Sequence, residues 1–234
     1  MRRCSTATTP NAGQSADRSS IGPWPAPRSS VGFHRRWASH PGRATRRAGR
    51  RRDAVQEALD ANDYHFHAHG IELGQRYTSA AVLHDGTPPA PYTRDPELYY
   101  HPTTRPGAYL PHAWLQQGER QISTLDVAGS GRFTLVTGIG GEGWLEAAEK
   151  VAAETGVPIA GAAVGHGLAY DDVYGDWAAL REIDDDGALL IRPDRHIAWR
   201  HHTAGDDPVA ALRDAVTRVL ALGPTDVPEG ENQP

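Results

Sequence analysis

The chain has 234 residues, enough for one domain of ordinary size or for a domain with a sizeable tail. Its 38% hydrophobic content and mean hydropathy of -0.56 are low for a compact globule, so part of it is expected to pack against nothing. No run is apolar enough for a membrane-crossing helix, and one cysteine, Cys4, excludes an internal disulfide, a Cys-x-x-Cys redox pair and a cysteine-rich zinc site.

The start Met1-Arg2-Arg3-Cys4 leads into Thr, Pro and Ser with no apolar core, so a secretory signal is not expected. These features together predict a soluble, cytoplasmic protein with no membrane partner. The net charge of -5 conceals two unlike pieces. Residues 1–52 hold twelve arginines and one acid, Asp17, a net of +11 that leaves -16 for residues 53–234. The first piece is rich in Ser, Pro and Gly and has neither helical nor strand periodicity, so disorder is expected there. A nucleic-acid tail and a transit peptide are two readings of it. No folded reader follows it, however, the body is acidic, and five prolines oppose an amphipathic helix. A third reading is favoured: residues 1–52 are out-of-frame translation from a GC-rich gene, consistent with a single lysine, Lys150, and a single methionine, Met1.

Residues 53–62 (DAVQEALDAN) space Val55, Ala58 and Leu59 as a helix, with Asn62-Asp63 as a stop. His65, His67 and His69 follow. On a strand they would share one face and offer three imidazoles to zinc, iron or copper, with Glu72 the one nearby fourth ligand. Hydrogen-bonded or solvated histidines are the commoner reading. Residues 84–108 are crowded with Pro, Gly, Thr and Asp and read as an extended connection. Residues 122–127 alternate as a strand, 129–131 turn, and 133–137 form a second strand. Trp144, Ala148, Val151 and Ala152 share one face of a helix over 144–154, stopped by Gly156. A buried strand over 157–164 and a short helix over 176–183 come next. Residues 188–191 and 197–199 flank the turn Arg192-Pro193-Asp194-Arg195 as a hairpin. Asp207-Pro208 then opens a last helix striped by Val209, Leu212, Val216, Val219 and Leu220.

This order, a βαβ half followed by an antiparallel ββα half, predicts an α/β thioredoxin-like domain. It would have a mixed sheet, flanking helices, no Cys-x-x-Cys and one added strand in front. The expected divisions are a disordered or spurious arm over 1–52, a connecting region over 53–119, the thioredoxin-like domain over 120–222 and a disordered tail over 223–234.

Three further constellations invite chemistry. Gly138-Ile139-Gly140-Gly141-Glu142-Gly143 matches G-x-G-x-x-G between a strand and a helix, where glycines let a pyrophosphate approach a helix N-terminus. The next strand ends in Gly165-His166 instead of the acid a ribose hydroxyl needs, so a plain Gly-rich turn is the better reading. Asp171-Asp172, Asp176 and Asp184-Asp185-Asp186 lack the calcium-loop register and read as a solvated acidic surface. No G-x-S-x-G elbow is present.

His101-Pro102-Thr103-Thr104-Arg105-Pro106-Gly107-Ala108-Tyr109-Leu110-Pro111-His112-Ala113-Trp114-Leu115 resembles the start of the C-terminal domain of flavin-dependent aromatic hydroxylases, the phenol and chlorophenol monooxygenases above all. Residues 123–126 (STLD), 133–138 (FTLVTG), 187–194 (GALLIRPD) and 197–200 (IAWR) keep that family's order, and residues 69–77 (HGIELGQRY) resemble the segment leaving its flavin domain. The resemblance covers about residues 50–222. It implies a thioredoxin-like C-terminal domain in an enzyme that uses FAD and NAD(P)H to hydroxylate a phenolic ring, with subunit contacts that make a homodimer. The family's flavin-binding half has no counterpart here, so no catalytic, cofactor-binding or metal residue is carried over and no FAD is expected on this chain alone. A stand-alone, non-catalytic binding or dimerisation module remains the alternative.

Overall fold

The computed structural model describes residues 46–222; residues 1–45 of the arm expected to be disordered over 1–52, and the tail expected over 223–234, lie outside them. The first element, α1 (Arg46–Phe66), begins before the expected Asp53 and runs through the expected stop at Asn62-Asp63. Arg and Ala are strong helix formers, so the basic run Arg50-Arg51-Arg52 continues the helix. A Gln56–Asp60 bond at 2.6 Å ties two successive turns on one face. The helix thus crosses the expected division at residue 52. A short α2 (His69–Leu73) follows.

The connecting stretch is bonded along much of its length. Tyr77 N–H donates to Gly107 O, Leu83 N–H to Ala198 O, Gly107 N–H to Ile197 O and Leu110 N–H to Arg195 O, at 2.7–2.9 Å. Gly107 is required where it stands. Its φ is +93°, and a Cβ there would lie 2.2 Å from the Tyr77 carbonyl oxygen.

β1 (Trp114–Gln117) and β2 (Arg120–Ser123) then pair antiparallel as a separate hairpin. The strand expected over 122–127 therefore ends at Ser123, and α3 (Thr124–Val127) replaces its second half. Ser123 accepts from Leu125 N–H while the Asp126 carboxylate accepts from Ser123 N–H. This reciprocal cap outcompetes the alternating pattern. The extra strand accordingly belongs to a hairpin of its own and not to the main sheet.

That sheet contains β3 (Phe133–Thr137), β4 (Ile159–Ala163), β5 (Ala188–Ile191) and β6 (Ile197–His201) in the order β4-β3-β5-β6. β3 and β4 run parallel through α4 (Glu142–Thr155), while β5 is antiparallel to both β3 and β6. A short α5 (Asp176–Leu180) precedes β5, and α6 (Pro208–Leu220) closes the fold. β3 and β5 are buried at every position, which explains their unbroken apolar runs. Leu135 and Leu190 face one cluster with Trp144, Ala148 and Val151 of α4 and Leu212, Val216 and Val219 of α6. Val136 and Leu189 face a second cluster with Leu110, Leu115, Val127 and Trp177. Helices therefore cover one face, and the connecting stretch, the hairpin, α3 and α5 cover the other.

The remaining boundaries follow from caps. Gly156 ends α4 in the left-handed region, and the Asp207 carboxylate accepts from Ala210 N–H to open α6 with Pro208 at its first turn. α5 stops before the expected Ile183 because Glu182 turns to φ +52°.

Leu190→Ala, at a fully buried position in the sheet centre, is expected to cost about 2–5 kcal/mol. Asp207→Ala is expected to cost about 1 kcal/mol through the lost cap. Urea unfolding followed by circular dichroism checks both, and equal losses would contradict this ranking.

Candidate functional site

The three histidines do not share a strand face. His65 lies in the last turn of α1, His67 in the link and His69 at the first position of α2. His67 Nδ1 instead meets the Asp63 carboxylate at 2.9 Å, one turn back on α1. Among the described residues no group of three or more His, Cys, Asp and Glu is placed to hold a metal.

The glycine run does form a turn into a helix, and the protein's own atoms fill it. A Cβ at Gly141 would lie 1.8 Å from Thr137 Oγ1, and one at Gly138 would lie 2.4 Å from Asp185 O. Thr137 Oγ1 in turn donates to Gly187 O at 2.7 Å. Glu142 adds a carboxylate in the first turn of α4, where a pyrophosphate would need bare N–H groups. These residues do not fit the diphosphate of a dinucleotide such as FAD.

The acidic cluster is not uniformly solvated, contrary to the expectation. Asp172 is buried, and its two carboxylate oxygens accept from Trp177 N–H and Ala178 N–H at the start of α5. A Ser–His pair is also present: His112 Nδ1 lies 2.7 Å from Ser123 Oγ. The same Oγ already caps α3, so the contact braces a helix start.

The most strongly coupled group of polar side chains surrounds Arg200 on β6, whose side chain is 2% exposed. Its Nε donates to Asp85 Oδ2 at 2.5 Å and its Nη1 to Glu182 Oε2 at 3.1 Å. That Glu182 oxygen also accepts from Thr103 Oγ1 at 2.7 Å and Thr104 N–H at 3.0 Å. Thr104 Oγ1 donates to Arg181 O, and Arg105 donates to Thr87 O. Glu182 therefore holds a left-handed backbone conformation that a non-glycine residue seldom adopts, with its carboxylate fixed by three donors. Burial pushes the Asp85 carboxyl up, but hydrogen bonds from Arg200 and Thr87, with the guanidinium charge, outweigh it and hold Asp85 well below the usual carboxylate range. Just ahead of β6, His196 lies edge-on between Tyr77 and Tyr109, with ring centroids 4.6 and 5.3 Å away. Residues 77–109 are thereby fastened to the strand pair β5–β6 by charge, hydroxyl and ring contacts.

The sequence reading missed this cluster. Arg200 was visible only as part of Ile197-Ala198-Trp199-Arg200, and its partners lie far away along the chain at Asp85, Thr104 and Glu182. An arginine inside an apolar strand was the one available signal.

Residues 103–222 match the family model described as aromatic-ring hydroxylase, C-terminal. The match covers more than half of the chain, and the chain belongs to that family. Among its relatives, the phenol 2-monooxygenase of Pseudomonas sp. (strain EST1001) is 45% identical over 168 residues, which are 72% of this chain and 28% of the relative. The 2,4-dichlorophenol 6-monooxygenase of Delftia acidovorans is 44% identical over 175 residues, 75% of this chain and 30% of that protein. The crystal structure of the flavin-dependent monooxygenase PieE with FAD and substrate superposes with a TM-score of 0.71 at 49% identity, over 76% of this chain and 31% of that one. The aklavinone-11 hydroxylase complex with FAD and aklavinone gives a TM-score of 0.57 at 36% identity, over 65% of this chain and 27% of that one. The chain thus spans under a third of the length of these relatives and corresponds to their C-terminal part.

Arg200→Met leaves two carboxylates facing an apolar side chain and is expected to cost about 3–5 kcal/mol. Because folding lowers the pKa of Asp85, its contribution is complete above the ordinary carboxylate value of about 3.9 and is lost as pH falls below it. Asp85→Asn should therefore flatten the acid side of the stability-against-pH curve. An unchanged acid limb in chemical denaturation at a series of pH values would count against the coupling.

Proposed function

We propose that this chain is the C-terminal region of a FAD-dependent monooxygenase that uses NAD(P)H to hydroxylate phenolic rings, and that it does not itself hold the flavin. The observation that carries this reading is a family match over 103–222 joined to relatives of which the chain covers only 28% and 30%. The oxygen chemistry of such an enzyme is the cofactor's, and protein positions and shields it. In this reading the present residues act as a rigid packing module.

The sheet order β4-β3-β5-β6, with one parallel and two antiparallel pairs, supports a thioredoxin-like assignment for the domain. Exposed Leu59 and Phe66 on α1, with Leu73 and Tyr99, support a further protein surface packing here in the longer molecule. The filled glycine turn supports the absence of a dinucleotide site on these residues. A homodimer of the intact enzyme belongs to the same reading.

The test is the mass of the native polypeptide captured from source cells with an antibody against residues 100–220. A mass far above 25.3 kDa is expected. The purified 234-residue chain mixed with FAD is expected to retain no flavin absorption after desalting. A native mass equal to that of the short chain would give the place to a non-catalytic binding module, and a retained flavin band would show that these residues bind the cofactor after all.

A further inference from the structure

We infer that His196 is a proton-operated clasp. With its imidazole protonated it bonds Asp194 and holds residues 77–109 of the connecting stretch against the β5–β6 turn; on losing the proton it loosens them. The starting point is an atom without a partner. The His196 side chain is only 12% exposed, and its Nδ1 is buried and makes no hydrogen bond. Most buried polar atoms are satisfied, because an unpaired one is costly. Asp194 Oδ1 lies 3.4 Å from this nitrogen, long for a hydrogen bond.

Asp194 is prepared for a cation. Its Oδ2 accepts from Arg192 Nη2 at 2.8 Å and its Oδ1 from His196 N–H at 3.2 Å. Burial raises the Asp194 carboxyl, but the His196 ring and N–H, with the Arg192 charge, outweigh it and bring it down to about 2. Asp194 is therefore an anion wherever histidine changes charge, and the proton on the ring is the variable. In a neutral ring one nitrogen is an acceptor, and a lone pair at Nδ1 facing a carboxylate gains nothing. A second proton makes both nitrogens donors, and Nδ1–H then gives Asp194 a charge-assisted bond.

The ring grips the connecting stretch near both of its ends, through Tyr77 and Tyr109. Around it Gly107 N–H donates to Ile197 O, Leu110 N–H to Arg195 O and Ile197 N–H to Ala108 O. The other charges on these elements are engaged elsewhere. Arg195 Nε donates to Leu125 O of α3 at 2.8 Å, and the Asp126 carboxylate of α3 accepts from Ser123 N–H. On the connecting stretch, burial raises the Tyr100 hydroxyl, on which the Arg76 charge and Tyr109 also act. The clasp uses no feature of the flavin reading and is tested apart from it.

Amide exchange of the full 234-residue chain at about pH 5.5 and about pH 8, with intrinsic rates divided out, tests it. Protection of the Gly107 and Leu110 amides should fall about tenfold at the higher pH, the worth of one bond to a charged group. Amides of the β3–β5 ladder should keep theirs. His196→Phe leaves a ring between the tyrosines that cannot take a proton, so the fall should vanish. Asp194→Asn takes away the anion and should abolish it as well. A second histidine touches this stretch, His202, whose Nε2 lies 3.4 Å from Asp85 Oδ2. His202→Gln should leave the fall intact. Equal protection at both pH values, protection that rises with pH, or a fall that survives in His196→Phe overturns the inference, as does a fall lost in His202→Gln. Should His196→Phe fail to fold, Asp194→Asn at its half-exposed turn position decides, and an undiminished fall there overturns the clasp.

Discussion

The Arg200 guanidinium sits in a strand whose neighbours are apolar, and everything around it is arranged to make that placement tolerable. A cation removed from water is costly unless it is paired and hydrogen-bonded. Asp85 and Glu182 supply the pairing from opposite sides, and Thr103 and Thr104 fix the Glu182 oxygen that Arg200 needs. Three separate stretches of chain must therefore arrive together before the sheet edge is stable. The strained Glu182 backbone, the short α5 and the bonded connecting stretch all follow from this requirement.

The sheet itself was legible in the sequence because local and long-range signals agree there. Phe133 to Thr137 and Ala188 to Ile191 are apolar without interruption because both of their faces are covered. Gly156 and Asp207-Pro208 mark helix ends by backbone chemistry that depends little on context. The family, too, could be read from ordered short motifs, and the match over 103–222 agrees with them.

What could not be read depended on competition between local patterns or on distant partners. Ser123 to Val127 alternates like a strand, yet the cap joining Ser123 and Asp126 turns it into a helix. Arg50 to Arg52 looked like part of a charged tail, although the same residues suit a helix interior. Asp172 looked like a solvated acid because its two N–H donors, on Trp177 and Ala178, become donors only once α5 begins. The strand that would have set His65, His67 and His69 on one face is absent for a related reason. Their metal-binding geometry assumed a strand, and the backbone there is a helix end, a link and a second helix.

The bonds from Tyr77, Leu83, Gly107 and Leu110 have a practical consequence for where this domain starts. The family model begins at Thr103, yet a polypeptide cut there would leave Arg200 without Asp85 and β6 without its cover at Leu83. The stretch bonded to the sheet is longer than the span of that model and reaches back at least to Arg76, whose bridge to Ala108 ties it in. A segment that sequence composition presents as a tether is, mechanically, an outer stave of the domain. Force applied through it would reach the β6 edge directly instead of being absorbed by slack.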